Sequence, residues 1–395
     1  MVMLPAAPWR DRDGLGDLVA VLGAARFVGG AVRDTLLGLD VADVDIATPL
    51  PPAEVLARLA AAGIRAVPTG LAHGTVTAIL HGHPFEITTL RRDVATDGRH
   101  AEVAFTDDWQ EDAARRDFTI NALYADPATG EVYDWFGGMV DLAARRVRFI
   151  GDPERRIAED HLRILRFFRF HARFGNAIDG EGLDACTARA NDLMALSRER
   201  IAAELLKLLV APAAVPTVEL MIERGILRAV LPEIADAGAL ARLATREAAA
   251  GVAPDAVRRL AALVPPPDAE AVGARLKLSN AQRKRLQTAT AGPGSEGIHA
   301  LAYRAGRESA VDRLLLAGAD PRPIIDWTPP RLPLSGGALV ARGLDKGPAV
   351  AAALKMVETR WIAEGFPDAE RVDQIAGEVA ADSIANAASA SSGRA

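Results

Sequence analysis

The sequence predicts an α+β protein, an α/β head followed by an all-helical neck and body, on three observations. Up to about residue 150, short β-rich runs alternate with helical patterns. After that point apolar residues recur only at three- and four-residue spacing, through 154–174, 180–195, 199–211 and 215–228. The helical half is punctuated by breakers: "APAAVP", "VPPPD", "AGPGSEG" and "TPPRLPLSGG". The expected divisions are a head over 1–145, a neck over 146–212, a body over 213–381 and a disordered small-residue tail over 382–395.

In order, residues 26–29 read as a short strand and 30–38 as a helix stopped by Gly38. A strand over 43–48 follows, then a helix over 51–63 with proline near its start and glycine at its end. "TVTAIL" and "FEITTL" form a hairpin across "HGHP". "FTINALYAD" reads as a further strand, and "VYDWFGG" with "RRVRFI" closes the head. Ser197 is placed to cap a helix in which Arg200 and Glu204 form an i,i+4 pair. No repeat of fixed period is convincing.

Composition excludes several chemistries. The 395 residues carry a net charge of −6, so a nucleic-acid partner needs a local basic patch. Lysines occur only at 207, 277, 284, 346 and 355, and none follows a glycine, which excludes a P-loop. Phosphate held by the N-terminal half must be held by arginine or backbone N–H. The single cysteine, Cys186, excludes a disulfide framework and a cysteine zinc site and fits a reducing cytoplasm. The first residues lack the pattern of a signal peptide, and no apolar run is long enough to span a membrane.

One stretch, "FVGGAVRDTLLGLDVADVDIAT", joins a glycine pair to two neighbouring acids. On a strand Asp43 and Asp45 share a face, where two anions repel unless a cation lies between them. Oxygen-only ligands suit Mg²⁺. Glu86, set among β-branched residues, is a candidate third carboxylate. Gly29 and Gly30 allow close approach to a ligand before a helix whose N-terminus attracts phosphate. Arg33 and Asp34 lie on the first turn of that helix. A solvated turn is the plainer reading of a bare D-x-D.

Taken in order, these segments resemble the tRNA nucleotidyltransferase and poly(A) polymerase family, bacterial type, within the polymerase-β-like nucleotidyltransferases. "VGGAVRDTLLG", "DVDIAT", "HGTV", "FEITTLR", "RRDFTINALYAD", "DWFGGMVDLAARRVRFIGDP" and "RIAEDHLRILRFFRF" carry the resemblance over about residues 26–173. It implies a head with a mixed β-sheet. It also implies two Mg²⁺ ions and transfer of nucleotides from CTP and ATP to a tRNA 3′ end, with pyrophosphate leaving. The acceptor stem and the two nucleotides are then the partners, with no membrane and no obligate protein partner. Asp43 and Asp45 match the family's metal aspartates, and Glu86 its third acidic position. Glu86 and Arg91 fall on opposite faces of a regular strand, so both can face one site only across a bend. Gly29, Gly30, Arg33 and Asp34 match its triphosphate segment, although Arg33 can instead pair with Asp34. Arg116, Asp117 and Asn121, with Arg115 beside them, match positions near the base and ribose; a junction of paired charges is the alternative.

Asp160 and Arg163 match the family's protein template. On one helix they share a face. A carboxylate accepts from the amino group of C or A and repels the oxo group of U or G, while arginine donates to the ring acceptors. The alternative is ordinary ion pairing, Glu159–Arg163 and Arg155–Glu159. Arg166, Arg169 and Arg173 follow on one face, in a segment where eight arginines (146–173) meet four acids. This is the required basic patch, suited to triphosphate or RNA backbone. The loop at 93–104 is intact in length. "GGALVARGLDKGPAVAAALKMVE" reads as helix, glycine turn, helix, suited to packing or to phosphate. His81-x-His83 lacks further ligands for a transition metal.

Full CCA addition, poly(A) tailing and CC-only or A-only addition all stay open. A catalytically silent RNA-binding protein would have lost one of the key carboxylates. An enzyme acting on small molecules would need neither the helical body nor the Asp160/Arg163 pair.

Overall fold

Short apolar runs between glycine-rich turns assemble into one sheet, and the helical patterns pack beside it. The computed structural model describes residues 2–96 and 101–392, with side chains described except at 93–96, 101–103 and 387–392. The head comprises β1 (Val2–Met3), α1 (Leu15–Leu22), β2 (Arg26–Val28), α2 (Gly30–Leu36), β3 (Asp45–Thr48), α3 (Pro52–Ala61), β4 (Arg65–Gly70), β5 (Thr75–Leu80) and β6 (His83–Thr89). It continues with β7 (Arg91–Thr96), β8 (Ala101–Phe105), α4 (Trp109–Ala114), β9 (Tyr124–Ala125), β10 (Glu131–Tyr133) and α5 (Gly138–Ala143). The sheet order is β1-β10-β9-β2-β3-β6-β5-β4, and β7 pairs with β8 apart from it. The sheet is mixed, because β3 and β6 run parallel while their neighbours are antiparallel.

Four local expectations need correction. The strand expected from Asp43 starts at Asp45, because the Arg12 guanidinium takes the carbonyls of Val41 and Ala42 and no ladder forms there. The β5–β6 turn is only His81-Gly82, both at positive φ, and the ladder extends to His83. "FTINALYAD" is mostly a buried 3₁₀ turn over Thr119–Asn121, with only Tyr124–Ala125 as strand. An apolar run without alternation suits either state. Gly138 explains the tight fit there: a Cβ on it would lie 2.3 Å from the Thr119 carbonyl oxygen. The loop expected at 93–104 joins β7 to β8; residues 97–100 lie outside the described residues.

After the head come α6 (Pro153–Glu159), α7 (Arg163–Phe174), α8 (Gly180–Ala188), α9 (Arg198–Leu209) and α10 (Ala214–Glu223). The periodic segment 154–174 is therefore two helices. Asp160 leaves helical geometry at φ −151° and ψ 106°. Along α7 the buried residues Ile164, Leu165, Phe167 and Phe168 face the core. Phe167 stacks on Phe149 at 5.6 Å, and Phe118 closes on Phe149 at 4.9 Å. This aromatic packing orients the opposite, arginine-bearing stripe of α7. Ser197 caps α9 as expected. The Arg200–Glu204 pair does not form: each reaches another element instead.

The chain divides into two units. The first runs to Ala237 and includes Ala274–Leu278, and so holds head, neck and the start of the expected body. The second, Gly238–Gly273 and from Ser279 on, is helical. One of its cores gathers Val357, Trp361, Ile375 and Val379, another Leu243, Leu301 and Leu314. The segment "GGALVARGLDKGPAVAAALKMVE" is helix, glycine turn, helix, with Gly347 at φ 108° between Gly336–Val340 and Pro348–Ala363. The last helix, Ala369–Ser392, extends through most of the segment expected to be disordered.

Candidate functional site

Gly29, at φ +66°, turns the chain from β2 into α2. A Cβ there would meet Arg116 Nη1 at 3.4 Å and the Asn121 carbonyl oxygen at 3.6 Å, so glycine lets three segments converge. They border a cavity of about 610 Å³. Every candidate except Asp34 and Glu86 lines it: Gly29, Gly30, Arg33, Asp43, Asp45, Arg116, Asp117, Asn121, Asp160, Arg163, Arg166 and Arg169. Arg115, Arg173, Phe170 and Lys207 line it as well.

The acidic wall is formed by Asp43 and Asp45. Asp43 is exposed, and Asp45 is half-buried at the start of β3. Glu86 is the parallel-ladder neighbour of Asp45, but it is exposed and lies outside the cavity lining. Burial pushes the Asp45 carboxyl above its ordinary pKa; the charges of Glu86 and Asp43 add to the push, and Arg116 opposes it. Anions held together at this cost, with oxygen donors only, fit a hard divalent cation. No cluster of three His, Cys, Asp or Glu able to hold a metal occurs among the described residues, so the fit rests on two carboxylates. His81 and His83 sit at the β5–β6 turn, His83 exposed, away from such a cluster.

The opposite wall is basic, but its arginines are not bare. Arg33, only 5% exposed, donates to Asp34 at 2.7 Å and to Asn121, with its guanidinium 4.5 Å from the Phe174 ring. The alternative given for Arg33, a pair with Asp34, is therefore the one present. Asp34 is engaged too, since Arg173 reaches it at 3.2 Å from α7. Asn121 donates to Asp117 at 2.9 Å, and Arg166 pairs with Asp117 at 2.6 Å. Glu204 on α9 pairs with Arg169 and lies 3.9 Å from Arg166. These bonds form one chain from Arg173 to Arg169. Burial acts to raise the Asp117 carboxyl, but Arg166, Asn121 and Arg163 hold it at about 2. Burial lowers the pKa of Arg33 and of Arg169.

Asp112 was not singled out by sequence. It is 1% exposed on α4 and accepts from Arg115 Nε at 2.9 Å and Arg116 Nη2 at 3.2 Å. It also takes the Arg91 backbone N–H at 3.1 Å and the Tyr124 hydroxyl. Arg116 Nε in turn donates to the Tyr124 oxygen at 3.0 Å. Against the pull of burial, Arg116 and Arg115 keep Asp112 at about 2. Its i,i+3 and i,i+4 spacing to two arginines was the available signal. Arg91 starts β7, which belongs to a different sheet from β6 with Leu90 between them, and bonds the His73 carbonyl.

The Asp160/Arg163 pair differs from expectation. The residues do not share a helix, since one ends α6 and the other begins α7. Their side chains do not bond each other among the described residues. Asp160 accepts from Arg200 and from the Leu162 backbone N–H. Arg163 donates to Glu159 at 2.8 Å and to the carbonyls of Arg156 and Arg115 at 2.8 and 3.2 Å. Of the alternative ion pairs, Glu159–Arg163 is present, and Arg155–Glu159 is a loose 3.7 Å contact.

Residues 25–148 match the Poly A polymerase head domain. Residues 177–237 match a probable RNA- and SrmB-binding site of polymerase A. A mitochondrial CCA tRNA nucleotidyltransferase 1 from Danio rerio is 49% identical over 205 residues, 51% of this chain and 47% of that protein. A CCA-adding enzyme from Anoxybacillus flavithermus is 41% identical over 213 residues, covering 53% and 52%. The chain thus spans about half the length of these curated relatives. The crystal structure of the Bacillus stearothermophilus CCA-adding enzyme in complex with CTP superposes with a TM-score of 0.68 at 28% identity, covering 91% of this chain and 94% of that one. No helix among the described residues is long and apolar enough to cross a membrane.

Proposed function

We propose that this chain, which belongs to the tRNA nucleotidyltransferase and poly(A) polymerase family, adds CCA to the 3′ end of tRNA without a nucleic-acid template. The substrates are CTP and ATP. The tRNA 3′-hydroxyl oxygen bonds to the α-phosphorus of the nucleotide, the bond to the β-phosphate oxygen breaks, and pyrophosphate leaves. Asp43 and Asp45 are the residues that would hold Mg²⁺, which when bound neutralises charge on the triphosphate and acidifies the attacking hydroxyl.

This chain's own groups supply the rest. Arg116, locked by Asp112 and Tyr124, brings fixed positive charge to the wall that carries Asp45. Arg173, whose side chain is 43% exposed, is the accessible end of the arginine chain and suits the triphosphate or the RNA backbone. Asp160 and Arg163 read the base. Asp160 Oδ2 accepts one bond, so a lone pair stays open for an exocyclic amine. Arg163 keeps Nε–H and one Nη2–H uncommitted among the described residues, enough for N3 and O2 of cytosine or N1 of adenine. Uracil and guanine would set an oxygen against the carboxylate. With its one cysteine buried and free, the protein is suited to a reducing compartment, and we place it in the cytoplasm.

The observation that carries this reading is one cavity with paired acids on one wall and a separated acceptor and donor on another. Purified protein with Mg²⁺, CTP and ATP should complete tRNAs lacking A, CA or CCA and then stop. A run of A on any RNA would instead make it a poly(A) polymerase, and a halt after CC, or failure on tRNA lacking CCA, a partial enzyme.

A further inference from the structure

Templating by Asp160 and Arg163 poses an electrostatic problem. Two opposite charges three residues apart bond each other when free to do so, and a closed ion pair has little left to offer a base. The structure prevents this from both sides. On one side, Arg200 Nη2 lies 3.1 Å from Asp160 Oδ1 and 3.0 Å from Oδ2, while the Leu162 N–H holds Oδ1 at 3.1 Å. On the other, Glu159 and two backbone carbonyls fix Arg163, which is 8% exposed. Arg200 is itself set by the fold: its backbone N–H caps onto Ser197 at the start of α9, and α9 packs on α7. Asp160 sits at a break between two helices, where the Leu162 N–H anchors Oδ1 and Arg200, bonding both oxygens, fixes the turn of the carboxylate about that anchor.

We propose that Arg200 is a positioning residue for base selection: it holds the Asp160 carboxylate away from Arg163 so that both can face an incoming base. This rests on the templating reading above. Without Arg200 the carboxylate is left to the other cations of the same cavity, Arg163 and Arg166, and the acceptor is lost to the base. Arg200 need not touch the nucleotide, and it is absent from the cavity wall.

The test measures kcat/KM for CTP, ATP, UTP and GTP in wild type, Arg200→Ala, Arg200→Lys, Asp160→Ala and the Arg200→Ala/Asp160→Ala double variant, with Tm recorded for each. Arg200→Ala should lower discrimination against UTP and GTP by roughly tenfold or more, the size of one charge-assisted hydrogen bond. Asp160→Ala should do the same, and the double variant should lose no more than either single change. Arg200→Lys keeps the charge without the two-oxygen grip, so it should fold and fall between. Unchanged discrimination in both Arg200 variants, or additive losses in the double variant, overturns the proposal while leaving nucleotidyl transfer intact. A wild-type protein that transfers no nucleotide overturns it together with the reading it rests on.

Discussion

Asp45 and Asp112 are both carboxylates in the head, and their surroundings drive them in opposite directions. Asp45 is raised, so ionising it is less favourable in the folded state than in the unfolded chain, and stability falls as pH rises through the carboxylate range. Asp45→Asn should therefore abolish incorporation while Tm at pH 7 holds or rises, and Mg²⁺ should no longer raise Tm. Calorimetry showing a large drop in Tm would contradict this assignment. Asp112 is held at about 2, below its ordinary 3.8, so its contribution is complete above pH 4 and drains away as pH falls toward 2. Asp112→Asn leaves two arginines without their anchor and should cost about 3 kcal/mol at pH 7. That penalty should shrink below pH 4, where wild type loses the same interaction. A penalty independent of pH in denaturant melts would show that packing, not charge, is what Asp112 supplies.

At the scale of elements, α7 separates stability from function by face. Phe167 is fully buried against Phe149, Phe118 and Phe168. Phe167→Ala should cost about 3–5 kcal/mol. Arg173 lies on the other face, and its pair with Asp34 is partly exposed. Arg173→Ala should change stability by less than about 1 kcal/mol yet raise KM for nucleotide or tRNA several-fold. Equal thermal melts for the two variants would refute this division. The two faces of α7 were readable in the sequence, because 3.6-residue spacing sorts Phe167 and Phe168 from Arg166, Arg169 and Arg173, with Phe170 alone joining the arginines at the cavity among the α7 phenylalanines. The break before α7 was not: "EDHLR" contains neither glycine nor proline, and only the fold shows Asp160 leaving helical geometry with its side chain on the Leu162 N–H and the Arg200 guanidinium. Likewise Asp43 fits a strand by pattern, yet Arg12, 31 positions upstream, removes its neighbours from the ladder.

For the whole molecule, a net charge of −6 coexists with a cavity whose cations outnumber its acids. Net charge is a sum over the sequence, whereas the cavity is a sum over neighbours in space. Local order along the chain determined the α+β class, the glycine turn at 29–30, the acid pair and the arginine stripe, because periodicity and spacing act within a few residues. Only the tertiary structure decided which arginines are already spent. Arg33 is claimed by Asp34 and Asn121, Arg116 by Asp112 and Tyr124, and Asp160 by Arg200. Buried charges must find partners wherever the fold brings them, and for Asp34 that partner, Arg173, lies 139 residues away in sequence.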